Sequence, residues 1–317
     1  MAHCLKILAA TESVAIEASR WVGLGNEVAL TENAARAMLE ALATHDIQGR
    51  IDLGEGRAAL ADQTTVGPET AAMPSLAVKT VEGVTATSLG GANSLALIAV
   101  AEGGLFTTLP TSMYMDKVVV PLWADGAVDL STEPGAILAA LAVQKGVQTR
   151  ELRVAVLDRP RNQRVIDAIR AAGARVTLIA DGDVAVSLAI LSGRSPIDCM
   201  LGSGGAREAV YTAAAARAVG DVFYGRFLLR NRDEENVLAR SAIGAERLRH
   251  GFRAADLAPG TVTLAATAIT DASPLQGVSV SARRVHTESF LFQSGAGSVS
   301  LIQSTHRTEP RPSPTLQ

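Results

Sequence analysis

Aromatic residues are scarce in this chain, with two Trp, three Tyr and six Phe among 317 residues. With so few rings, base stacking and aromatic-lined cofactor pockets are excluded as organising themes. Cysteine is scarcer still. Cys4 and Cys199 stand far apart and in no metal-ligand spacing. A disulfide scaffold is excluded, and a reduced, cytoplasmic setting is expected. Long apolar runs are also missing. Stretches such as Leu95–Ala101 and Ala136–Val143 fall well short of the roughly 20 residues that a bilayer-spanning helix needs, so no membrane partner is expected. The first residues carry no succession of charged region, apolar region and small-residue cleavage site, so no secretory signal is expected. Nor is positive charge in excess. The 29 Lys and Arg against 32 Asp and Glu leave a formal net charge of -3, which gives nucleic acid no footprint. The five histidines (His3, His45, His250, His286 and His306) share no ligand spacing and are assigned no chemistry.

What remains is an alanine-rich chain, 48% hydrophobic and 19% charged, able to bury a large core as two domains or one large one. Thr11 to Gly23 reads as a helix, since Val14, Ala15, Ala18, Trp21 and Val22 recur at helical spacing. A second helix is predicted from about Thr31 to Thr44, with Thr31 as its N-cap. Ile51–Leu53 reads as a strand breaking into Gly54-Glu55-Gly56, where glycines let backbone approach a ligand. Residues 67–74 read as a surface loop. The stretch from Leu76 to Thr85 reads as a buried strand that runs out at Glu82-Gly83, and it carries a lysine, Lys79.

The second half alternates strand and helix. Strands at Leu152–Leu157, Val176–Ala180 and Ile197–Leu201 each precede a helix, which argues for an α/β unit with largely parallel strands. Ligands of such sheets sit outside the strands' carboxyl ends. Three polar loops fall there: Asp158–Arg161, Asp181–Asp183 and Gly202–Glu208. After Gly260 the chain turns β-rich, with a strand at Thr263–Thr270 and a hairpin around Gly295–Gly297. The fold class is therefore α/β with an α+β N-terminal half. The expected division is an α+β domain over 1–145, an α/β domain over 146–306 and a polar, proline-rich, disordered tail over 307–317.

These loops carry the candidate chemistry. Gly202-Ser203-Gly204-Gly205 reads as a turn opening a helix, where free N–H groups and the helix dipole favour a phosphate. A tight strand–helix connection explains the same residues. Arg159 and Arg161 at the neighbouring strand end suit phosphate oxygens, or stand as solvated surface charge. Asp181-Gly182-Asp183 reads as a helix cap, or as carboxylates for sugar hydroxyls or a metal. Glu55, Glu82 and Glu208 lie beside or near glycines at element ends. Carboxylates without Cys or His suit Mg²⁺ or Mn²⁺ rather than Zn²⁺.

In combination, TESVAIEASRWVG, DIQGRIDLGEG, MYMDKVVVP, VLDRPRNQRVIDAIRAAGARV, DGDVA, GSGGAREAV and ATAITD identify the chain as a member of the class II fructose-1,6-bisphosphatases. These are the bacterial branch of the lithium-sensitive sugar- and inositol-phosphatase superfamily, and the resemblance runs from Thr11 to His306. It implies a layered α-β-α-β-α sandwich and metal-dependent hydrolysis of the 1-phosphate of fructose 1,6-bisphosphate, a gluconeogenic reaction. It also implies a homo-oligomer, or a hetero-oligomer with a homologue. Substrate contacts carry over to Glu82, Gly83, Tyr114, Arg159, Pro160, Arg161, Asp181, Gly182, Asp183 and Gly205, and metal ligands to Glu55, Glu82 and Glu208.

The acidic set carries over only in part. The resemblance implies aspartates at three positions that here read Thr31, Ala59 and Lys79: two metal ligands and, at Ala59, the water-activating carboxylate. The family's metal-bridging motif reads Val78-Lys79-Thr80-Val81-Glu82-Gly83-Val84. Thr31 removes one negative charge and Lys79 shifts the balance by two, three positive charges in all. Two-metal phosphoryl transfer needs cations at the attacking and leaving oxygens and a group that orients water. At most one Mn²⁺ or Mg²⁺ is therefore expected, held weakly. The resemblance so implies either a fructose-1,6-bisphosphatase-like enzyme of reduced activity, or a paralogue that binds sugar phosphate or regulates an active homologue without catalysis.

Overall fold

The computed structural model describes residues 2–55, 58–70, 73–104, 106–110, 113–124, 133–220, 223–239, 243, 250–281 and 283–307. It is mixed α/β, with two mixed sheets in two compact units: Met1–Phe106 with Gly260–Gln317, and Thr107–Pro259.

The first unit opens with α1 (Ala2–Ser19) and α2 (Glu27–Thr44). Helix α1 starts well before the expected Thr11, because apolar spacing continues back through Leu8, Ile7 and Cys4, all buried. Helix α2 starts before Thr31. Its N-cap is Asn26, whose side chain accepts from the Ala29 N–H at 2.9 Å. Thr31 lies in the second turn, and its hydroxyl donates to the carbonyls of Glu27 (2.8 Å) and Val28 (3.0 Å). The expected N-cap role of Thr31 is thus corrected. Strands β1 (Gly49–Leu53), β2 (Thr64–Val66), β3 (Ser75–Glu82) and β4 (Leu95–Glu102) follow, with the short helix α3 (Val84–Ser88) between β3 and β4. The same sheet takes in β11 (Thr261–Ala268), β12 (Ser279–Ser281), β13 (Arg284–Gln293) and β14 (Ser298–Arg307).

The strand order is β2-β1-β3-β4-β11-β13, with β14 along β13 and β12 beside residues 284–286 of β13. Only β1 and β3 pair in parallel among these. Leu30, Ala34 and Met38 of α2 and Ile7, Val14 and Ala18 of α1 pack on Leu76, Val78, Ile98 and Leu291 of the sheet. The many alanines let helices and sheet approach closely.

The chain does not divide at residue 145 as expected. β11 pairs antiparallel with β4 over its whole length, with Leu264 opposite Ala99, so the C-terminal strands complete the first sheet. From residue 308 on, the expected disordered tail lies outside the described residues, while Arg307 closes β14 opposite Arg284.

The second unit holds β5 (Tyr114–Val119), α4 (Pro134–Lys145), β6 (Arg153–Leu157), α5 (Gln163–Ala171), β7 (Arg175–Ile179) and α6 (Asp183–Leu191). Then come β8 (Cys199–Gly205), α7 (Ala206–Val219), β9 (Phe223–Leu228), α8 (Arg232–Ala239) and β10 (Phe252–Arg253). The order is β10-β9-β5-β8-β6-β7. β7, β6 and β8 are parallel as expected, but β5, β9 and β10 join antiparallel, so the sheet is mixed. Gly202–Gly205 are not a turn. They are the last four residues of β8, paired with Tyr114–Lys117, and α7 opens directly after them. Among the described residues no helix is long and apolar enough to cross a membrane.

Candidate functional site

In the second unit the site grows from the glycine end of β8. At Gly204, a Cβ would stand 2.2 Å from Asp183 Oδ2 and 2.7 Å from Lys117 Nζ. At Gly205, a Cβ would stand 2.0 Å from Glu208 Oε2. Both are closer than any side chain tolerates. Glycine at these two positions lets charged groups lie directly against the strand.

Lys117 is buried in β5 and forms an ion pair with Asp183 at the start of α6. Its ammonium also donates to the Gly205 carbonyl at 3.3 Å. A buried ammonium is stable only when paired and hydrogen-bonded, and both conditions hold here. Asp183 is therefore not the helix cap, and its carboxylate is paired with Lys117. It is an anchored charge beneath Gly204. The cap of α6 is Gly182, with φ of 80°, and Asp181 Oδ1 accepts from its N–H at 2.9 Å.

After β6, Arg159 leads into a single 3-10 turn, Pro160–Asn162. Arg161 points back at β8, its Nε donating to Ser203 Oγ (3.1 Å) and to the Ser203 carbonyl (3.3 Å). Its guanidinium lies 4.2 Å from the centroid of the Tyr114 ring, a cation–π contact. Asn162, fully buried, holds the turn on the strand. Its Oδ1 accepts from Ser203 N (2.7 Å) and Oγ (3.0 Å), and its Nδ2 donates to the carbonyls of Leu157 (3.0 Å) and Ser203 (3.2 Å). Burial lowers the Arg161 pKa from the usual arginine range, with the charges of Arg159 and Arg230 acting the same way against Tyr114 and Asp183. The second unit thus gathers Tyr114, Arg161 and Ser203 and anchors Asp183 and Gly205. Sequence reading missed Lys117 and Asn162. The only signal available was a lone Lys inside the apolar MYMDKVVVP stretch.

Glu55 and Glu82 lie in the first unit. Glu55 follows β1, and its carboxylate accepts from Thr80 N–H (2.9 Å) and Thr80 Oγ1 (2.6 Å). Glu82 ends β3 and is 3% exposed. A buried hydroxyl chain supports its backbone, with Thr87 Oγ1 donating to Ser94 Oγ (2.6 Å) and Ser94 Oγ donating to the Glu82 carbonyl (2.9 Å). Gly83, with φ of 79°, turns the chain out of the strand. The ladder between β3 and β4 slips between Lys79 and Glu82. Ala59 is exposed on a 3-10 turn, where its methyl offers no oxygen. Gly56 lies outside the described residues.

This donor set does not fit a two-cation centre. Lys79 is a cation, and neither Ala59 nor Thr31 supplies a carboxylate. Among the described residues, no group of three or more His, Cys, Asp or Glu side chains is placed to hold a metal ion. Hard divalent ions need several oxygen ligands, most of them anionic.

Comparison with known proteins agrees with the motifs. The family model described as bacterial fructose-1,6-bisphosphatase, glpX-encoded, matches residues 1–306. The chain is 34% identical over 323 residues to fructose-1,6-bisphosphatase 1 class 2 of Escherichia coli (strain K12), covering 97% of this chain and 95% of that protein. It is 30% identical over 329 residues to the D-fructose 1,6-bisphosphatase class 2/sedoheptulose 1,7-bisphosphatase of Trichodesmium erythraeum (strain IMS101), covering 95% of each. A match of this length, on a fold that brings Tyr114, Arg161 and the end of β8 together, shows that the chain belongs to the bacterial class 2 fructose-1,6-bisphosphatase family.

Proposed function

We propose that the chain binds a phosphorylated sugar and hydrolyses its phosphate ester far more slowly than family members that keep the full acidic set. The substrate class is a sugar bisphosphate such as fructose 1,6-bisphosphate. Tyr114, Arg159, Pro160, Arg161, Asp181, Gly182, Asp183 and Gly205 form its binding side in the second unit, and Glu82 and Gly83 contribute from the first. One observation carries this reading. The Arg161–Tyr114–Ser203 constellation is fully assembled, while Thr31, Ala59 and Lys79 supply no carboxylate. The metal ligands that the resemblance assigns, Glu55, Glu82 and Glu208, leave room for at most one Mg²⁺ or Mn²⁺, whose chemistry would be to polarise a phosphoryl oxygen. Absence of a general base lowers a rate by about 10²–10⁴, before any effect of the missing ligands.

A second reading has a specific observation behind it. Lys79 adds fixed positive charge where the resemblance implies negative charge, which favours holding a phosphate over releasing it. On that reading the chain is a non-catalytic sugar-phosphate binder, or a regulatory subunit assembled with an active homologue. The test measures phosphate release from fructose 1,6-bisphosphate with Mg²⁺ and with Mn²⁺, and calorimetric binding of the same sugar in parallel. Slow release with clear binding supports the first reading. Binding with no release supports the second. Turnover at ordinary enzymatic rates would sink both, and so would failure to bind.

A further inference from the structure

The Tyr114 ring has a second cation beside it. The Arg230 guanidinium, just after β9, lies 5.1 Å from the ring centroid, while Arg161 lies 4.2 Å from it. Arg159 is close enough that its charge, like that of Arg230, acts against the protonated form of Arg161. Three guanidinium groups thus converge at one end of the sheet. Like charges repel most where water is displaced, and burial is the largest influence on Arg161, while Arg230 is exposed and held by Glu234. Two carboxylates that act on the cluster are already engaged. Asp183 acts on Arg161 but is already paired with Lys117. Glu234 is paired with Arg230 itself, accepting from its backbone N–H at 2.9 Å and its Nε at 2.7 Å. Asp116, two residues along β5 from Tyr114, is influenced by burial and by Arg226, not by the three arginines. The three guanidinium groups thus share this end with Asp183 and Glu234, each of which is already paired with a cation. A phosphate monoester carries about -1.5 to -2 charge at neutral pH and three acceptor oxygens.

We infer that Arg230 is a third phosphate ligand and a specificity-determining residue, which together with Arg159 and Arg161 selects sugars that carry a phosphate dianion at this end. This rests on the sugar-phosphate reading above and adds to it a residue that neither motif nor spacing had marked. The Glu234 pair and the Tyr114 ring hold the guanidinium plane, so Arg230 is pre-oriented rather than a loose surface arginine.

The test uses the full chain and two probes, fructose 1,6-bisphosphate and inorganic phosphate, by calorimetry at two or more salt concentrations. Arg230→Gln is expected to weaken both probes about tenfold to a hundredfold, as for loss of a charged hydrogen bond, and to flatten the dependence of affinity on salt. Arg230→Lys, which keeps the charge, is expected to recover part of the affinity. Arg253→Gln removes a comparable arginine–tyrosine stack, 5.1 Å over Tyr224, and should leave both affinities unchanged. Equal affinity of Arg230→Gln and the parent chain would overturn the inference while leaving the sugar-phosphate reading standing. So would equal weakening by Gln and Lys, which would mark Arg230 as packing rather than charge. If the parent chain binds neither probe, both readings fall together.

Discussion

The two units handle charge in opposite ways. In the second, Lys117 meets Asp183, and Arg161 is held by Ser203 and Tyr114. In the first, the resemblance implies a cluster of carboxylates, and the chain supplies Thr31, Ala59 and Lys79 instead. The scaffold around those three positions is nevertheless regular, with β3 buried along nearly its whole length and Glu82 seated on a hydroxyl chain. Such substitutions remove ligands without disturbing the fold, because an exposed alanine, a helical threonine and a strand lysine each suit their local structure. On the function proposed above, binding machinery and metal machinery diverge independently within one chain.

The largest effect should come from reversing that divergence. The triple change Thr31→Asp, Ala59→Asp and Lys79→Asp restores the acidic set and should raise phosphate release from fructose 1,6-bisphosphate by about 10²–10⁴. Divalent-ion affinity, followed by calorimetry with Mn²⁺, should rise in step. An unchanged Mn²⁺ affinity would mean that these three positions are not what separates this chain from a two-metal enzyme.

Next in size is a change that breaks the intact side. Lys117→Met leaves Asp183 buried without a countercharge and should destabilise the protein by about 3–5 kcal/mol, read as a shift in the urea midpoint. Adding Asp183→Leu removes the orphaned charge and should recover most of that stability, though not sugar binding. If Lys117→Met alone leaves the midpoint in place, the pair is not the anchor its burial indicates. A milder change, Arg161→Gln, should leave the midpoint nearly unmoved and weaken fructose 1,6-bisphosphate binding by about tenfold or more.

Much of this was legible in the sequence. Strand β3, helix α7 and the β13–β14 hairpin follow from apolar period and from flanking glycines. Two kinds of physics were not. The Gly202-Ser203-Gly204-Gly205 stretch reads as a turn, yet here it extends a strand, with charged side chains lying against Gly204 and Gly205. Contacts distant in sequence leave no local trace: Lys117 and Asp183 are separated by 66 residues, and β4 waits until Thr261 for its partner. The metal-side substitutions were legible only against the family pattern, since nothing in Lys79 or Ala59 marks a loss when read alone.

The smallest effect bears on Thr31 and on how the first unit is built. A threonine before an apolar helical run reads as an N-cap, but the cap of α2 is Asn26. Asn26→Ala removes the acceptor for the Ala29 N–H and should destabilise the protein by about 1 kcal/mol. Thr31→Ala removes a hydroxyl bonded back to the helix's own carbonyls, and alanine has the higher helix propensity, so stability should hold or rise by a few tenths of a kcal/mol. Thermal or urea midpoints of the two variants decide the matter. If Thr31→Ala is the more damaging, the helix starts where the sequence alone suggested, and the loss of the family aspartate would have altered a cap as well as a charge. If Asn26→Ala is the more damaging, position 31 is free of structural duty. The charge missing there then bears on the metal side alone, which is what makes its restoration a clean test of catalysis.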